Sequence, residues 1–62
     1  MILDIRYIDR PPEQIRGVRR ISYYPHELAP NGPEIIVYSI HDVVSPRYIP
    51  LYNVKEMWTT ND

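Results

Sequence analysis

The chain has 62 residues, no cysteine and a formal net charge of −1. A chain this short is one small domain, residues 1–62, that buries only about 60% of the surface its unfolded form exposes. Without thiols, neither disulfides nor thiolate-bound metal can staple it, which leaves an economical sheet or a partner chain as its support. The sequence pI near 6.0 lies well below the value of about 9 expected of a general nucleic-acid binder. Asp4 and Arg6 interrupt the N-terminal apolar residues, so no export signal is expected. The longest apolar run, Ile35 to Tyr38, is far too short for a membrane helix. A soluble, cytoplasmic protein is the expectation, and the lack of cysteine is compatible with it.

Leu3, Ile5 and Tyr7 alternate with Asp4 and Arg6, the period of a strand with one buried face, so residues 2–8 read as the first strand. Pro11 and Pro12 open the next segment and Gly17 closes it, which predicts either one short helical turn near residues 11–16 or a Pro-rich loop. Val18 to Tyr24 is rich in Val, Ile and Tyr and reads as the second strand. Residues 25–33 hold three prolines and Asn31-Gly32 and read as a nine-residue loop turning around Pro30 and Asn31. Such length exceeds the usual hairpin and suits either a functional or a mobile loop.

Glu34 to Val44 is the strongest strand pattern, with apolar atoms expected on both faces and a central position in the sheet. Arg47 to Leu51 returns antiparallel, and Val54 to Thr60 makes the final strand. Between them Pro50 withholds an N–H from the ladder and fixes its own φ, so the strand through Ile49 breaks there and restarts near Val54. The expected fold is all-β, a five-stranded small barrel or a bent antiparallel sheet, with a small α+β sheet as the alternative.

From Ile49 the pattern Ile-Pro-x-x-x-Val-x-x-Met resembles the closing segment of SH3 domains, in which aliphatic-Pro-x-Asn-Tyr-Val precedes a further aliphatic residue. Pro50 matches the family Pro and Val54 the family Val, whereas the family's Asn-Tyr pair stands reversed as Tyr52-Asn53. The resemblance implies an SH3-like small barrel with a single 3₁₀ turn joining the last two strands. In that family the Pro and Tyr border a groove for proline-rich peptides, but the Tyr is displaced here, and the family's N-terminal and Trp-Trp motifs are missing. No functional residue is carried over. Similar last-strand phrases occur in short proteins of bacteria and their phages.

His26-Glu27 and His41-Asp42 carry metal-ligating side chains, but strand neighbours point to opposite faces and His26 sits in a Pro-flanked loop. No metal and no cofactor is expected. Catalysis is not expected either, because the chain has only two glycines and shows no phosphate loop, Cys nucleophile or Gly-x-Ser-x-Gly.

The six tyrosines and single tryptophan, with no phenylalanine, are the oddest feature, since Tyr hydroxyls want water or a partner and interfaces are rich in Tyr, Trp, Met and Arg. The leading expectation is a non-enzymatic protein-interaction module, self-associating or accessory to a bacterial or phage system. Its anchors would be Tyr24, Ile35, Val37, Tyr48, Tyr52 and Trp58 on the outer face. The alternative is a small single-stranded nucleic-acid-binding protein that uses Arg16, Arg19 and Arg20 with Tyr23 or Tyr24. Against that reading, Arg19 and Arg20 are expected on opposite faces of one strand.

Overall fold

A computed structural model describes residues 1–25, 32–42 and 44–61. Among them are six strands: β1 (Ile2–Tyr7), β2 (Glu13–Ile15), β3 (Val18–Tyr24), β4 (Glu34–Ser39), β5 (Arg47–Pro50) and β6 (Val54–Thr60), with one 3₁₀ turn at Leu51–Asn53 before β6. They form two three-stranded antiparallel sheets, in the orders β2-β1-β6 and β3-β4-β5. The all-β class follows, and so does the 3₁₀ turn between the last two strands. The turn expected around Pro30 and Asn31, like His26 and Glu27, lies outside the described residues.

The core is the inner face of both sheets. Leu3 and Ile5 from β1, Ile15 from β2, Val18 from β3, Ile35 and Val37 from β4, and Ile49 from β5 are buried, with Tyr7, Ile21, Leu51 and Val54 packed at the margin. Register explains the set: Leu3 stands opposite Ile15, Ile35 opposite Ile49, and Val37 opposite Ile21. Ile35 and Val37 are therefore core residues and not outer-face anchors, which corrects the sequence reading. The run Ile35–Tyr38 is apolar at every position, so period two alone does not say which pair turns inward. Ile36 and Tyr38 are the outward pair.

Residues 11–16 form no helical turn; Glu13–Ile15 is extended against β1. A single turn would leave Ile15 no core to fill, whereas the strand places it opposite Leu3. Gly17, at φ +69°, then carries the chain round a corner from one sheet into the other, a conformation that costs an L side chain dearly. A Cβ there would also meet Ile40 Cγ1 at 2.6 Å. At this corner Val18 donates to the Met1 carbonyl (2.9 Å) and the Met1 ammonium donates back to the Val18 carbonyl (2.8 Å).

β4 ends at Ser39, short of the predicted Val44. Ser39 supplies the reason: its Oγ donates to Asp42 Oδ2 (3.1 Å) and accepts from the His41 N–H (3.2 Å), a local turn that competes with the ladder. His41 and Asp42 thus lie beyond the strand. Among the described residues no helix is long and apolar enough to cross a membrane.

Candidate interaction surface

The second corner is built on Pro50. With φ −66° and ψ 137° it ends β5 and leads into the 3₁₀ turn, while the Leu51 N–H reaches the Pro33 carbonyl (3.0 Å) and the Ile8 N–H reaches the Asn53 carbonyl (2.8 Å). Asn53 is buried. Its amide nitrogen donates to the Pro50 carbonyl (3.2 Å) and its oxygen accepts from the Arg10 guanidinium (2.8 Å). The opposite orientation would bring the nitrogen 3.3 Å from Asp9 Oδ1, but it would turn an N–H toward Arg10 and satisfy neither side fully.

Beside this corner a charged network ties the two sheets together. Arg47 donates to both Glu13 oxygens (2.9 and 3.1 Å) in a forked pair, and the Tyr7 hydroxyl donates to Glu13 Oε1 (2.8 Å). The Arg47 hydrogen bonds hold the Glu13 carboxyl below its ordinary range, outweighing burial. Burial, followed by the adjacent Glu13, pushes the Tyr7 phenol up. The Arg10 guanidinium lies 5.1 Å from the Tyr7 ring centroid and its bond to Asp9 (3.2 Å) lowers that carboxyl.

On this locked corner Tyr48, Pro50 and Tyr52 border a shallow groove of about 140 Å³ floored by Tyr7. Tyr48 and Tyr52 are 58% and 65% exposed. Pairing extends the apolar surface: Tyr48 faces Ile36, which faces Ser22, and the next row runs Pro50, Glu34, Tyr24. Three of the nominated anchors, Tyr24, Tyr48 and Tyr52, thus share one side of the molecule. Trp58 does not join them. It lies on the outer face of the other sheet, opposite Asp4, with the Arg6 guanidinium 5.9 Å from its ring centroid. Ile36, Tyr38 and Tyr7 belong to these surfaces and were not singled out from sequence; for Ile36 and Tyr38 the signal is the same uniform run that hid the inward face, whereas Met57, opposite Ile5, lies on the other face of β6 from Trp58.

The arginines cluster differently from the sequence reading. Val18 pairs with Ser39 and Arg20 with Tyr38, so Arg19 is the extra residue of a β-bulge. The bulge brings Arg19 and Arg20 to one open depression of about 400 Å³, correcting the expectation of opposite faces. Arg20 lies 4.2 Å from the Tyr38 ring centroid. Tyr23 pairs with the inward Ile35, on the other face from Arg20, and Arg16 is exposed beside the Gly17 corner.

No family model, curated protein or solved structure matches this chain. The likeness to SH3 closing segments therefore remains a likeness of a few residues, and the surface is read on its own chemistry.

Proposed function

We propose that the protein is a non-enzymatic interaction module that presents Tyr48 and Tyr52, with Tyr24 and Ile36 beside them, to another protein. The carrying observation is that two rings more than half exposed stand on a corner made stiff by Pro50, the buried Asn53 amide and the Glu13–Arg47 fork. Aromatic rings held this way give contact area with little loss of side-chain entropy. The groove is far smaller than the several hundred Å³ of a substrate pocket, which suits a surface contact. A cytoplasmic setting accords with the cysteine-free sequence, and an accessory role in a bacterium or phage accords with the small size.

A photo-reactive phenylalanine analogue in place of Tyr52 tests the reading in cells. A discrete protein adduct at position 52, absent when the same group replaces Arg16, supports it; equal labelling at both positions, or none at 52, overturns it.

The bulge favours a second reading, a single-stranded nucleic-acid site at Arg19, Arg20 and Tyr38, where a base could stack beside two cations. Binding to single-stranded DNA or RNA should then fall steeply with salt. No binding at low ionic strength eliminates this second site.

A further inference from the structure

Four strands lie at the margins of the two sheets, and three of them are blunted. β5 is four residues long and ends in Pro50; β3 carries the Arg19 bulge and is tied to Met1 at its start; β2 is three residues long and runs into the Gly17 corner. Short length, proline, bulges and charge are the devices by which sheets keep their edges from pairing. β6 differs. Among the described residues it pairs with β1 alone, and every residue from Lys55 to Thr60 is exposed, Met57 and Trp58 included.

The register limits what can add to it. Arg6 faces Glu56 and Tyr7 faces Val54, so Lys55 is an extra residue and the regular ladder spans Glu56–Thr60. A two-fold axis normal to the sheet can pair this run with its own copy only about a residue. Centring on Glu56 opposes two like charges, and centring on Met57 brings the Lys55 bulge opposite Thr59 and shortens the ladder. Centring on Trp58 uses all five regular residues: Trp58 faces the partner's Trp58, Met57 faces the partner's Thr59, and Glu56 faces the partner's Thr60. No like charges are opposed, and the central pair is aromatic.

We infer that two copies of this chain associate antiparallel along β6, with Trp58 on the two-fold axis, to make one continuous six-stranded sheet. The inference rests on the reading of the protein as an interaction module and names one partner, a second copy, at an edge separate from the Tyr48–Tyr52 corner. An edge-to-edge contact is small, so the dimer is weak, with dissociation between roughly 10 µM and 1 mM.

Sedimentation across that range, with emission of the single tryptophan, tests it. Mass should double with concentration while the emission shifts to the blue. Thr60→Glu, which opposes Glu56 of the partner subunit twice per dimer, should weaken association about threefold or more, and Thr60→Lys should tighten it by a similar factor. Thr60 is exposed, so both variants keep the fold, checked by circular dichroism. A chain that stays monomeric throughout, or a dimer indifferent to both substitutions, overturns the β6 contact. Labelling at position 52 would then still stand, so failure of the edge and failure of the module are told apart.

Discussion

Val37 and Tyr52 separate what holds the fold from what faces outward. Val37 is fully buried, and Val37→Asp would put a carboxylate at the centre of a core too small to tolerate it. Burial of an unpaired charge exceeds the roughly 3–5 kcal/mol that a domain this size holds, so this variant should show no cooperative melt. Tyr52→Asp, at an exposed ring, should stay within about 0.5 kcal/mol of the parent. Circular-dichroism melts of the two variants check the contrast. Gly17→Ala forces a side chain to φ +69° and toward Ile40; it should cost about 1–2 kcal/mol, or at least about 4 °C in melting temperature. Glycine's freedom is spent here on passing the chain between sheets.

At the scale of elements, the Glu13–Arg47 fork joins β2 to β5 and sets an acid limit on stability. The Glu13 pKa is lower in the folded chain than its ordinary value of 4.5, so its contribution is complete above that value and is lost as pH falls through the depressed one. Glu13→Gln should flatten the decline of melting temperature below about pH 4.5, while leaving neutral-pH stability lower by about 1 kcal/mol or less, since the pair is partly exposed. Tyr7 works in the opposite sense. Its raised pKa keeps the phenol protonated, and the stability it confers is lost as pH rises from 10.0 through the folded value. Asn53→Ala removes the buried amide that bonds both the Arg10 guanidinium and the Pro50 carbonyl; a loss of about 1–3 kcal/mol by urea titration is expected.

The same elements show what sequence can and cannot say. β1 and β3 were legible from alternation, and the break before β6 from Pro50, because each rests on local stereochemistry. β2 was not legible: Pro11, Pro12 and Gly17 punctuate a helix and a cornering strand alike, and only contact with Leu3 decides between them. The inward face of β4 depends on Ile49 across the ladder, a partner that local pattern does not name. The Arg19 bulge likewise arises from pairing with β4, so the joint placement of Arg19 and Arg20 was invisible, whereas the exposed rings of Tyr48, Tyr52 and Trp58 were anticipated from composition.

At the scale of the molecule, a core of seven buried apolar residues among the described ones supports a surface that leaves Tyr23, Tyr24, Tyr48, Tyr52, Met57 and Trp58 exposed. Tyr24, Tyr48 and Tyr52 lie toward the Pro50 corner and Trp58 on the outer side of β6, so the proposed partner surface and the proposed self-pairing edge are separate. Contact at either place needs no rearrangement of the core, and a rigid fold should change little on binding. Amide hydrogen exchange, with and without the protein cross-linked at Tyr52, reads this out directly. Slowed exchange confined to Tyr48–Asn53 and the adjoining face of β4 is the expected result; protection instead at Arg19, Arg20 and Ile40–Asp42, or none anywhere, would contradict it.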